Sequence, residues 1–325
     1  MQDLTAGLST FSFDCGLTED QEELLSLRAR SAALSICGCA HAVFWCQLAH
    51  SLSVYGIQEE DDLRVGILGL GHTGKQLLLC LLEKTDTKPS HIKISTRRPE
   101  TAAEFAQSGV ECYFDNGRLA AWADVLFLCC LPSHLPKVCA SLHSHLPPRC
   151  LIYSFLSAVP VTRLARLLGH SFVLKPQYDF SACDRADMWP AHGQLITALN
   201  DPLLIEASCP LSVSGGISLG ASWVYAVLYS LLNICTSASL GSRDALALIN
   251  KNIPIRACDI KIIIKPSLFF TSSRPFPWIT LTDAQTKETP LSRFLSRSKS
   301  VQEAISAAYK ALLEKKEMRD WGMDK

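Results

Sequence analysis

The stretch Val65-Gly66-Ile67-Leu68-Gly69-Leu70-Gly71-His72-Thr73-Gly74 decides the fold. Its first half, Val65–Leu68, is a short apolar run bounded by glycine, the profile of a strand buried in a parallel sheet. A leucine-rich helix follows over Thr73–Glu83. The residues between them fit G-x-G-x-x-G, a pattern that carries weight when a strand precedes it and a helix follows. Gly69 permits the tight turn, Gly71 lets the backbone approach a diphosphate with no Cβ in the way, and Gly74 allows close packing of helix on strand. The amides and dipole of the helix start favour an anion there. With Leu70, His72 and Thr73, these glycines read as a dinucleotide-binding loop.

Outward from this loop, strand and helix signals alternate. Strands are expected at His91–Thr96, Val110–Phe114, Asp124–Cys129, Cys150–Ser154 and His170–Leu174. Helices are expected at Pro99–Gln107, with proline in the first turn, and at Asn116–Trp122, Pro136–Leu142 and Val161–Leu168. Alternation at this spacing specifies an α/β fold, a Rossmann-type doubly wound parallel sheet with both faces covered. We place this domain at residues 61–205.

The flanks read differently. Residues 1–60 form a helical extension in which Thr18-Glu19-Asp20-Gln21 resembles a capped helix start. From Ala32 to Gly56 it carries no Asp, Glu, Lys or Arg, long enough to span a bilayer. His41, Gln47 and His50 within it favour a helix docked in the protein, and no membrane partner is expected. Residues 206–325 read as a mainly helical second domain, with an apolar helix at Ala221–Ala238 and a terminal helix at Val301–Glu317. Five prolines between residues 252 and 300 leave no helical period there.

The end of the second strand selects the dinucleotide. A site that prefers NAD places Asp or Glu there to accept from the ribose hydroxyls. Here the strand runs into Ser95-Thr96-Arg97-Arg98-Pro99, which contains no acid. Hydroxyls and guanidinium groups are donors that suit a 2′-phosphate, and arginine engages it bidentately. Thr96, Arg97 and Arg98 are therefore read as a phosphate clamp, and the cofactor as NADP(H). Ligands in such sheets lie beyond the carboxyl ends of the strands. Cys130, Leu131 and Pro132, where the fourth strand exits, are accordingly expected to border the cofactor.

Composition narrows the partners. Lys+Arg and Asp+Glu both number 31, so no global positive field points to nucleic acid. The 14 cysteines show no paired CxxC motif, which argues against a zinc site and for free thiols in a reducing compartment. The amino terminus lacks the layout of a secretory signal. A cytoplasmic location is the expectation, with a mitochondrial one as the alternative.

The region from Val65 to about Leu174 resembles the NADP-binding domain of pyrroline-5-carboxylate reductases. The resemblance rests on Val65–Gly71, on Ser95-Thr96-Arg97-Arg98-Pro99 and on Asp124-Val125-Leu126-Phe127-Leu128. Deazaflavin-dependent NADP reductases share a similar glycine loop and arginine element. The resemblance implies hydride transfer from NADPH to a small cyclic imine, giving proline, and a homodimer formed through the helical carboxyl-terminal region. Several family segments are altered. The Lys-Pro after the fourth strand is Leu131-Pro132, and the Pro-Asn-x-Pro loop is Lys175-Pro176-Gln177-Tyr178. The helix start corresponds to Ser218-Leu219-Gly220-Ala221-Ser222, which puts the family's hydroxyl residue at Ala226. The later glycine-rich substrate loop has no counterpart after residue 240.

The expected function is thus an NADP-dependent oxidoreductase acting on a small imine or carbonyl substrate. The alternative is a catalytically silent NADP(H)-binding regulatory protein. No catalytic residue can be assigned from the sequence. Tyr225, Ser222 and Tyr178 are candidate proton donors by side-chain chemistry alone.

Overall fold

In the computed structural model, residues 19–52, 62–180, 188–190, 195–252 and 274–314 are described. The strands are β1 (Val65–Leu68), β2 (Ile92–Ser95), β3 (Glu111–Tyr113), β4 (Val125–Leu128), β5 (Leu151–Ser154) and β6 (Val173–Leu174). All pair in parallel, in the order β3-β2-β1-β4-β5-β6. That is the order of the Rossmann fold, as the alternation predicts. The intervening helices are α2 (His72–Lys84), α3 (Ala103–Gln107), α4 (Asn116–Trp122), α5 (Leu135–Leu142) and α6 (Val161–Leu168).

Side chains along each strand point alternately to opposite faces, and two cores result. Val65, Ile67, Ile92, Ile94, Val125, Phe127, Leu151, Tyr153 and Leu174 face the larger core. Leu68, Leu126, Leu128, Ile152 and Val173 face a second core shared with α4, α5 and α6. Both faces are covered, which is why the central strands β1 and β4 read as unbroken apolar runs.

The larger core contains the amino-terminal helix α1 (Glu19–Leu52). From Ile36 to Cys46 every residue is buried, because α2 lies on one side and the carboxyl-terminal helices surround the rest. A helix with neighbours all round has no face that needs charge. By length and composition Ala29–Leu52 would cross a membrane, yet 78% of its apolar window is buried inside the protein. Its polar groups are used for docking. Trp45 Nε1 donates to Ser230 Oγ at 2.8 Å, and Gln47 Nε2 donates to the carbonyls of Lys84 and Leu312 at 2.6 and 3.2 Å.

After β6 the chain forms β7 (Tyr178–Phe180), α7 (Leu195–Ala198), α8 (Pro202–Ser208), β8 (Ile217–Leu219), α9 (Ala221–Ser237) and α10 (Ser242–Asn252). Strands β7 and β8 pair antiparallel across some forty residues, a two-stranded element that the sequence reading did not include. Residues 253–273 lie outside the described residues. Beyond them come α11 (Leu281–Thr286), α12 (Pro290–Arg297) and α13 (Lys299–Leu313). The helices α11 and α12 lie within residues 252–300, where the sequence showed no helical period. Pro290 does not break a helix but starts one, at a position where its missing N–H costs nothing, and Thr289 with Ser292 forms a capping box.

Helix α11 closes the edge of the main sheet. Gln285 accepts from the Lys175 amide at 2.9 Å and donates to the Val173 carbonyl at 2.7 Å. One side chain thereby satisfies groups that an exposed edge strand would leave open.

Candidate functional site

The glycine loop sits where the strand order reverses, between β1 and β4. Its backbone continues the sheet ladders past the strand ends. Gly69 N–H donates to the Ser95 carbonyl at 2.9 Å, and Cys129 N–H donates to the Leu68 carbonyl at 2.9 Å. Gly69 has φ +97°, a conformation that other L-residues rarely adopt. A Cβ there would also lie 3.1 Å from the Cys129 carbonyl oxygen. A Cβ on Gly74 would run into the carbonyl oxygen of Gly69, so helix α2 can begin this close to β1 only with glycine. Gly71 is different. A Cβ there would have nothing within 4 Å, and its φ of −76° suits any residue.

Gly71 thus faces open space at the amino end of α2. It is the N-cap, and no side chain caps this helix end. The first turn of α2 contains no acidic residue. Its leading amides have no partner within the helix, and the positive end of the dipole faces the same way. Gly71 and His72 are exposed, Thr73 is half-buried and Leu70 is buried beneath the loop.

The β2 exit lies beside it. Thr96 N–H donates to the Tyr113 carbonyl at 2.8 Å, carrying the β2–β3 ladder one residue beyond the strands. Buried Ser95 donates through Oγ to Asn116 Oδ1 at 2.7 Å and accepts from the Asp115 amide at 3.2 Å, while Asn116 Nδ2 donates to Ser141 Oγ at 3.0 Å. This network fixes the exits of β2 and β3 to one another. Arg97 and Arg98 project from it exposed, and among the described residues neither has a carboxylate partner. Pro99–Ala102 forms a short 3-10 turn before α3, so the helix expected over Pro99–Gln107 is two shorter pieces.

On the other side of the loop, Cys130 is half-buried while Leu131 and Pro132 are exposed at the β4 exit. Burial pushes the Cys129 thiol well above the usual range and raises that of Cys130. Thiols held protonated this way are poor nucleophiles.

The three candidate proton donors fall in different places. Tyr225 is buried in α9, and burial raises its phenol. Ser222 is half-buried in the first turn of α9. Tyr178 lies just past the β6 exit, where its hydroxyl is 2.8 Å from His41 Nδ1. The other ring nitrogen of His41, Nε2, is 2.8 Å from the Ser208 carbonyl. A carbonyl only accepts, so Nε2 carries the proton and Nδ1 is the lone pair. The Tyr178 hydroxyl must then be the donor to His41. His41 is fully enclosed by Tyr178, Trp223 and Tyr309, with ring centroids 5.7, 4.9 and 5.7 Å away. Burial holds its pKa down at about 3, so the ring is neutral. Sequence reasoning missed this histidine, because nothing in the charge-free part of α1 marks one histidine as the partner of a tyrosine 137 positions on.

Residues 64–156 match the family described as NADP oxidoreductase, coenzyme F420-dependent. NADP-dependent oxidoreductase domain-containing protein 1 of Mus musculus is 37% identical, over 93% of this chain and 91% of its own length. The chain belongs to that family. Pyrroline-5-carboxylate reductase of Escherichia coli K12 is 31% identical over 110 residues, 34% of this chain and 41% of its own. Among solved structures, the pyrroline-5-carboxylate reductase of Coxiella burnetii is 17% identical with a TM-score of 0.33, covering 78% of this chain and 99% of that one. The Plasmodium falciparum pyrroline carboxylate reductase, crystallised with NADP bound, is 12% identical with a TM-score of 0.32, covering 78% and 98%. The chain is therefore a member of the NADP-dependent oxidoreductase domain-containing family, and NADP(H) is the dinucleotide of that family.

Proposed function

We propose that this chain is a reductase that uses NADPH to reduce a small imine or carbonyl compound. The observation that carries the proposal is the pairing of an open, uncapped α2 start at Gly71 with two exposed arginines at the acid-free β2 exit that have no carboxylate partner among the described residues. In this reading the amides of residues 69–74 hold the diphosphate. Thr96, Arg97 and Arg98 hold the 2′-phosphate, while Cys130, Leu131 and Pro132 flank the cofactor beyond β4. When bound, NADPH supplies a hydride. The chain's own part is to place an acceptor carbon against the nicotinamide and keep water out.

One observation favours a second reading, a catalytically silent NADP(H)-binding protein. Tyr178 has its proton committed to His41, and the resemblance to pyrroline-5-carboxylate reductases puts the family's hydroxyl residue at Ala226. The test is NADPH oxidation by the full chain with pyrroline-5-carboxylate and then with other small imines and carbonyls. Turnover supports the reductase. Tight NADPH binding without turnover on any of them supports the silent protein.

A further inference from the structure

Phe114 is 63% exposed, among the most exposed large apolar side chains of the described residues. A single exposed apolar residue is ordinary on a protein surface. Its location is what gives this one meaning. Phe114 follows the last residue of β3, and the Thr96-to-Tyr113 backbone bond places it opposite Thr96 on the neighbouring strand. Adjacent strands lie about 4.8 Å apart, so Phe114 stands one strand spacing from Thr96, the residue that leads into the arginine pair.

The backbone around Phe114 is held on both sides. Before it, Tyr113 belongs to β3 and the Arg118 guanidinium covers its ring at 4.5 Å. After it, the Asp115 amide donates to Ser95 Oγ, and the Asp115 carboxylate caps α4 by accepting from the Arg118 amide at 2.8 Å. Among the described residues, the Phe114 ring has neither an aromatic nor a cationic partner.

We infer that Phe114 is the stacking platform for the adenine of the dinucleotide, an inference that rests on the NADP(H)-binding reading above. In a 2′-phosphoadenosine the base and the 2′-phosphate leave adjacent carbons of one ribose, while the 5′ side leads to the diphosphate. With the diphosphate at the β1 exit and the 2′-phosphate at the β2 exit, the base falls to the outer side, over the β3 exit. An aromatic ring there offers stacking, which depends on the flat face of the base.

The experiment is titration of the full chain and of Phe114→Ala with NADPH, 2′,5′-ADP and reduced nicotinamide mononucleotide. NADPH and 2′,5′-ADP should each weaken by on the order of tenfold, with the mononucleotide and the thermal midpoint unchanged. Phe114→Trp should keep the affinity, and its indole fluorescence should be quenched by 2′,5′-ADP. Equal affinities for Phe114→Ala and the natural chain, or an unquenched tryptophan, overturn the assignment while leaving NADPH binding intact. A natural chain that binds no NADPH overturns both readings together.

Discussion

The Tyr178 hydroxyl donates to Nδ1 of His41 across 2.8 Å, from the start of β7 beyond the main sheet to helix α1 near the start of the chain. The His41 ring then donates to the Ser208 carbonyl, and Ser208 Oγ is 2.9 Å from the Tyr309 hydroxyl. Four segments distant in sequence meet in this chain of polar groups inside an apolar core. Buried networks of this kind specify one packing arrangement when every member is satisfied.

Replacing Tyr178 by Phe removes the donor and leaves Nδ1 of His41 buried without a partner. The expected cost is about 1–3 kcal/mol of stability, read by denaturant unfolding. Any reductase activity, measured as kcat, should survive. A variant of unchanged stability that has lost turnover would make Tyr178 the proton donor after all.

His41 also sets a pH dependence. Its pKa falls from 6.5 in the unfolded chain to about 3 when buried. Below pH 6.5 the unfolded state takes up a proton that the folded state refuses, so stability declines as the pH falls from 6.5 toward 3. The decline approaches about 1.4 kcal/mol per pH unit. His170, lowered by burial in the same direction, adds to it. Unfolding of His41→Phe against the natural chain isolates the His41 share: the variant should show a shallower acid slope. Identical slopes would contradict a neutral, buried His41.

Two glycines of the loop should fail in different ways. Gly74→Ala forces a Cβ onto the Gly69 carbonyl and should destabilise the protein by about 1–3 kcal/mol, as overpacking does. Gly71→Ala meets open space and should leave the thermal midpoint alone while abolishing NADPH binding, because the added methyl occupies the diphosphate's approach. If Gly71→Ala binds normally, the diphosphate lies elsewhere.

The sheet and its loop were legible in the sequence because the central strands β1, β4 and β5 are buried throughout and glycine or proline marks several of the turns between elements. Helices α4 and α6 fall at the expected residues, and the strands differ from expectation only at their ends. What was not legible depends on distant partners. The hairpin β7–β8 is two three-residue strands whose pairing spans some forty residues, too short to show a period. The prolines around α11 and α12 read as breakers, although Pro290 occupies a helix start. In the candidate site, the glycines and arginines announce themselves by type and spacing. His41, Asn116 and Phe114 do not, since each acquires its role only from what the fold sets beside it.

The arginine pair carries the choice of dinucleotide. Changing Arg97 or Arg98 to Ala should cost about 1.5–3 kcal/mol of NADPH affinity each, the worth of a charge-assisted bond, and leave NADH nearly unaffected. Calorimetric titration of each variant with both nucleotides reads this. Equal weakening of both would remove the arginines from the 2′-phosphate site.

The most direct test of the whole account is titration of the purified natural chain with NADPH and NADH at one salt concentration. Saturable binding with NADPH clearly the tighter is the predicted result, since only NADPH offers a phosphate to the β2 exit. Absence of binding, or equal affinity for the two, would contradict the assignment of this sheet edge as an NADP(H) site.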